Sequence, residues 1–195
     1  MKKIGVFGGS FNPPHIGHLL IAERVCEELA LDTLLFIPAA VPPHKIGATD
    51  LAPDADRVRM LLKAIEHNTR FDISTLEIDR EGVSYTVDTL RSLDSSFPNA
   101  ELYLLIGADS LAEFHTWKNP DIICTLADLV VMPREHFPVD HIRPELKPHV
   151  RIVHTPTIEI SSTDIRNRVR EGRSIRYYVT REVAEYIEEN NLYKK

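Results

Sequence analysis

The sequence predicts a single α/β domain over residues 1–195, with a central parallel sheet, helices on both faces and a small helical part near the C-terminus. Three observations predict it. Short β-branched runs alternate with amphipathic stretches throughout, the pattern of βαβ units around a parallel sheet. The first apolar run ends at a glycine pair, Gly8-Gly9, and a helical pattern follows within a few residues. With 195 residues and 43% hydrophobic content, the chain can bury a full core, so disorder is set aside.

Lys3 to Phe7 reads as the first strand, and Ile16 to Ala30 as a helix with Leu19, Ala22, Cys26 and Leu29 on one face. Leu34 to Ile37 is a second strand and Arg57 to Glu66 the next helix. Phe71 to Ile78 is β-like, Thr86 to Leu93 helical, and Glu101 to Ile106 a strongly apolar strand ending at Gly107-Ala108-Asp109. Leu126 to Met132 and Val150 to Val153 supply further strands. Two helices close the pattern, one opening at Ser161-Ser162-Thr163 and one at Thr180, where a hydroxyl can cap exposed amides. Pro38 to Pro53 and Pro133 to Pro148 are proline-rich and poorly patterned; loops of that length in a compact domain are usually binding loops or lids.

A net charge of -6 argues against a protein that lives on nucleic acid, whose affinity rests on a basic surface. Cys26 and Cys124 lack metal-ligand spacing and read as core fillers in a reducing compartment. The opening apolar run is too short for a signal peptide, and no run reaches bilayer-spanning length. A cytoplasmic protein without membrane contact is expected.

Gly8-Gly9-Ser10-Phe11-Asn12-Pro13-Pro14-His15-Ile16-Gly17-His18 sits where the first strand gives way to the first helix. In an open α/β sheet that is where ligands bind, and free amides at a helix start favour phosphate. His15 and His18, three residues apart, share a helix face and can both point at one phosphate group; a metal pair is the rival reading. The motif has neither G-x-G-x-x-G spacing nor a G-K-[ST] ending, so hydride transfer and ATP hydrolysis lose their usual support. In Ile160-Ser161-Ser162-Thr163-Asp164-Ile165-Arg166, the hydroxyls can simply cap a helix, but Arg166, one turn in from Thr163, can also clamp an anion held at the helix start.

The first motif resembles the H-x-G-H signature of the HIGH-type nucleotidyltransferase superfamily, and the second resembles its I-S-S-T-x-x-R signature. Pro42-Pro43-His44-Lys45, Ser84-Tyr85-Thr86-Val87-Asp88-Thr89-Leu90, Gly107-Ala108-Asp109-Ser110 and Trp117 are similar to the nicotinate-nucleotide adenylyltransferase branch. The chain departs from that pattern at Ser10 and Asn12, where threonine and aspartate are common, and at Lys118, where an aromatic is common. It departs also at Pro133-Arg134-Glu135.

The resemblance implies a Rossmann-like fold and adenylyl transfer from ATP to nicotinate mononucleotide. It gives His15, His18, Lys45 and Arg166 catalytic roles on the triphosphate. Gly8, Gly9, Ser10, Phe11, Gly107, Asp109, Ser161 and Ser162 fall to ATP binding, and His44, Thr86 and Trp117 to the mononucleotide. Magnesium arrives with ATP, no protein metal ligand is implied, and a homo-oligomer is compatible. The attacking phosphate is already ionised at neutral pH, so no general base is needed, and protonated histidines are expected to face the phosphates. From the residues alone Asp109 can cap a helix and Trp117 can be core packing. A phosphopantetheine-directed relative and a nucleotide sensor without turnover are the rival functions.

Overall fold

A computed structural model describes residues 1–41, 50–132 and 142–194. Six strands form one sheet: β1 (Lys3–Gly9), β2 (Thr33–Pro38), β3 (Phe71–Ile73), β4 (Glu101–Gly107), β5 (Asp128–Met132) and β6 (Val150–Ile152). Every pairing is parallel, and the spatial order is β3-β2-β1-β4-β5-β6. The winding starts at β1, runs outward to β3, then returns to the other side of β1. The reversal lies between β1 and β4, and a crevice at the carboxyl ends of those strands is the expected ligand site of such a sheet.

Alternation along each strand builds two cores, because successive side chains point to opposite faces. On one face Val6, Leu35, Ile37, Leu104, Ile106, Leu129 and Val131 meet Val87, Leu90 and Leu93 of α4 (Thr86–Ser96) and Ile123 of α6 (Pro120–Leu126). On the other, Leu34, Phe36, Leu105, Val130 and Met132 meet Ala22, Val25 and Cys26 of α1 (Ile16–Leu29) and Leu61 and Ile65 of α2 (Asp54–Ile65). A third, smaller cluster joins Met60 of α2 to Ile165 of α7 (Ser162–Arg170) and to Val183 and Ile187 of α8 (Arg181–Glu189). This is the Rossmann-like α/β arrangement, with the C-terminal helical part seated on α2.

The hydroxyl caps form as the sequence implies: Ser161 Oγ accepts from the Asp164 amide at 3.1 Å and Thr180 Oγ1 from the Val183 amide at 3.3 Å. Elsewhere boundaries move. Only Phe71–Ile73 of the β-like stretch pairs, and Leu76–Arg80 turns into a short helix, α3. The Ser74 amide makes the last bond to Phe36, after which Thr75 Oγ1 donates to Asp79 and starts the turn. Leu126 closes α6 rather than opening β5, with Pro120 at its first position. Gly107 leads directly into α5 (Ala108–Ala112). Among the described residues no helix is long and apolar enough to cross a membrane.

Candidate active site

At the reversal point β1 ends in Gly8-Gly9 and β4 in Gly107. A Cβ at Gly8 or Gly107 would meet no atom within 4 Å, and neither residue has positive φ. Glycine there supplies open space in front of the strand ends rather than backbone freedom. That space is a cavity of about 400 Å³ reaching from Gly8, Gly9, Ser10 and Gly107 to Thr86 and Trp117. Thr86 begins α4, and Trp117 follows a 3-10 turn at Phe114–Thr116. The indole serves two purposes: it packs 5.4 Å from the Phe114 ring and also lines the cavity. Asp109 lies in the first turn of α5, exposed, next to the lining residue Ser110.

His15, His18 and Arg166 do not line this cavity; they form a second group across the Gly8–Asn12 turn. The His15 and His18 rings stack with centroids 3.6 Å apart. Gly17 makes this contact possible, since a Cβ there would stand 3.1 Å from His15 Nδ1 and 3.2 Å from its Cε1. The backbone N–H of His15 donates to His18 Nδ1 at 3.1 Å, which places the proton of neutral His18 on Nε2. The His18 ring also meets the Phe11 ring edge-on at 5.1 Å.

The surroundings set the charge of the rings before any phosphate arrives. Burial pushes the His15 imidazole down to about 4, and burial together with the neighbouring His15 pushes His18 well below the ordinary histidine value. Both rings are therefore neutral in the unliganded fold at neutral pH. Bound phosphates would favour the charged form, against the burial that disfavours it. Neutral His18 still presents an Nε2–H donor.

Arg166 is buried and its partners are defined. It donates to the Asn12 carbonyl at 2.9 Å and to Thr163 Oγ1 at 3.3 Å, and it pairs with the Asp50 carboxylate. The guanidinium holds the Asp50 carboxyl below the usual carboxylate range. Asp50, which the sequence reading did not select, thus occupies an anion position on Arg166. Ser162 Oγ donates to the Pro13 carbonyl at 2.9 Å, clasping the start of α7 to the first motif. Phe11 is buried at 1% exposure with φ 44° and does not line the cavity. His44 and Lys45 lie outside the described residues.

Two further residues hold the site and were missed. Arg57 is fully buried; it donates to the carbonyls of Ser10 at 2.9 Å and Ala39 at 2.8 Å and pairs with Asp54 at 2.5 Å, bracing the end of β1 against the end of β2. Asn12 accepts from the Ala52 amide at 3.0 Å and the Tyr193 hydroxyl at 2.8 Å, and donates to the Asp50 carbonyl at 2.9 Å. A charged residue in a helix N-terminal turn and a polar residue in a glycine-rich loop are ordinary sequence features, so neither stood out.

An open crevice at the strand reversal, flanked by two helix starts and a histidine pair, is the arrangement of a nucleotide-binding α/β protein. The cytidylyltransferase-like family model matches residues 6–168. Probable nicotinate-nucleotide adenylyltransferases of Desulfitobacterium hafniense and Thermus thermophilus are 42% and 45% identical to the chain. These alignments cover 99% and 98% of it and 96% and 100% of the relatives. The Plasmodium falciparum nicotinic acid mononucleotide adenylyltransferase, solved in complex with NaAD, shares the fold with a TM-score of 0.82 at 20% identity, over 99% of this chain and 98% of that one. The chain belongs to the cytidylyltransferase-like nucleotidyltransferases and, within them, to the nicotinate-nucleotide adenylyltransferase family.

Proposed function

We propose that the chain transfers the adenylyl group of ATP to nicotinate mononucleotide, forming nicotinate adenine dinucleotide and pyrophosphate, as a step of NAD biosynthesis. The observation that carries this is the continuity of the cavity: it runs from the open glycines at the ends of β1 and β4 to the Thr86 and Trp117 end. The cavity can therefore take an adenosine at one end and a pyridine nucleotide at the other, with the triphosphate extending out of it onto the separate group of His15, His18 and Arg166.

Adenosine lies against Gly8, Gly9, Ser10, Phe11 and Gly107, with Asp109 accepting from ribose hydroxyls. The triphosphate, with its magnesium, lies on His15, His18, Arg166 and Lys45 and on the amides at Ser161 and Ser162 that open α7. The pyridine ring stacks on Trp117 near the start of α4 at Thr86, with His44 an accessory contact. A phosphate oxygen of the mononucleotide forms the new bond to the α-phosphorus as the bond to the β-phosphate oxygen breaks, and the electron pair leaves with pyrophosphate. The attacking group is already an anion, so no base acts. The site positions two anions and donates hydrogen bonds to the charge that grows on the leaving group.

As proposed, residues 1–195 act as one nucleotidyltransferase domain in the cytoplasm, without nucleic acid or membrane partners and compatibly with a homo-oligomer. The deciding experiment measures pyrophosphate release with ATP and, in turn, nicotinate mononucleotide, nicotinamide mononucleotide and phosphopantetheine. The proposal requires the nicotinate substrate to be turned over best. Release with phosphopantetheine alone would overturn it.

A further inference from the structure

Among the described residues lining the cavity there is one cation, Lys118, alongside the carboxylates of Glu77 and Glu113. Glu77 is buried and engaged, accepting from Thr89 Oγ1 at 2.6 Å. Lys118 Nζ stands 4.2 Å from the centroid of the Tyr85 ring and 3.0 Å from Asp88 Oδ2. Tyr85 and Trp117 line the same end of the cavity, so the ammonium is held beside the surface on which a pyridine ring would stack.

Asp88 does not cancel this charge alone. Its other carboxylate oxygen lies 3.7 Å from Arg91 Nη1, so two cations share one anion and the group keeps a net positive charge. An ammonium over an aromatic face is also held in place without being neutralised, because the ring offers a quadrupole and no counter-charge. Tyr85 and Asp88, at the start of α4, thus fix Lys118 at the mouth of the pocket with attraction to spare.

We infer that Lys118 is the specificity-determining residue that makes this pocket favour a carboxylate over a carboxamide on the pyridine ring. The inference rests on the proposed reaction and names its selective element. A carboxylate in the cavity meets the Lys118 ammonium, whereas a carboxamide gains no Coulomb attraction there. Lys118 is half-exposed, its side chain 44% accessible. Solvent screening therefore holds the preference it supplies to about fivefold at most, well short of what a fully buried charge would give.

The test measures equilibrium binding and kcat/KM for nicotinate mononucleotide and nicotinamide mononucleotide in wild type, Lys118→Met and Lys118→Arg, with melting temperature on each preparation. Lys118→Met keeps the aliphatic stem and removes the charge. It should lose up to about fivefold in binding and in kcat/KM for the nicotinate substrate, with the nicotinamide substrate and the KM for ATP unchanged. Lys118→Arg should retain the preference. Equal losses on both pyridine substrates, or an undiminished preference in Lys118→Met, would overturn the inference. Binding separates it from the reaction itself: a charge-dependent preference in binding without pyrophosphate release would sink the proposed reaction and leave Lys118 as the selector.

Discussion

His18 has two duties that one pair of substitutions separates. Its Nδ1 accepts the His15 backbone N–H at 3.1 Å, and its Nε2–H is free to face phosphate oxygens. Asparagine places an amide oxygen close to where Nδ1 stands and has nothing at Nε2, while glutamine places an amide donor near Nε2 and abandons the Nδ1 contact. His18→Asn should therefore keep most of the helix-start bond, whose loss in an alanine variant costs about 1 kcal/mol. It should still lose the donor that acts on the leaving pyrophosphate, and kcat should fall roughly a hundredfold to a thousandfold, or about 3 to 4 kcal/mol. Because that donor acts mainly in the transition state, binding of the mononucleotide should hardly change. His18→Gln should recover part of kcat while melting earlier than His18→Asn. The assay is steady-state pyrophosphate release with melting curves on the same preparations. A folded His18→Asn enzyme within tenfold of wild-type kcat would refute the reasoning.

Gly17→Ala places a Cβ 3.1 Å from His15 Nδ1, so the ring must shift by a few tenths of an ångström. Crowding of this kind costs about 1 to 3 kcal/mol, against roughly 1 kcal/mol gained in helix propensity; the melting temperature should fall by at most about 8 °C while kcat falls at least about tenfold, and unchanged kcat would show that the stacked rings need no fixed geometry. Buried His15 also makes stability depend on pH. His15 takes up a proton near 6.5 when unfolded but only at about 4 in the fold, so between those values the unfolded state binds more protons and stability falls as pH falls. That interval is worth about 3 kcal/mol at 1.36 kcal/mol per pH unit, and urea unfolding of His15→Asn should show a visibly shallower fall; an identical slope would remove His15 as the source.

The sheet was legible because its strands are buried on both faces and read as apolar runs, and because a glycine pair marked the end of β1. The helices that the pattern missed are short: α3, α5 and α6 have five to seven residues, too few for a helical period to show. Asn119-Pro120 was a readable start for α6, with proline at the first helical position. At the site, residues joined by a local motif were found and those joined across the fold were not. Arg57 reaches Ser10 over 47 positions, Asp50 reaches Arg166 over 116, and Tyr193 reaches Asn12 over 181. No spacing rule connects such partners. The low proton affinity of the ligand-free histidines was illegible for a related reason, since the Phe11 edge against His18 and the burial of His15 come only with the folded turn.

The proposed reaction is a direct transfer, in which the site brings a phosphate anion to the α-phosphorus and neither histidine bonds to it. The measurement that reaches this most directly uses ATP carrying sulfur at the α-phosphorus as a single stereoisomer, with nicotinate mononucleotide as acceptor, and determines the configuration at phosphorus in the dinucleotide. A single in-line displacement inverts it, and inversion is the predicted result. Retention would require two displacements through an adenylylated side chain, with His15 or His18 as a nucleophile rather than a donor, and would contradict the account.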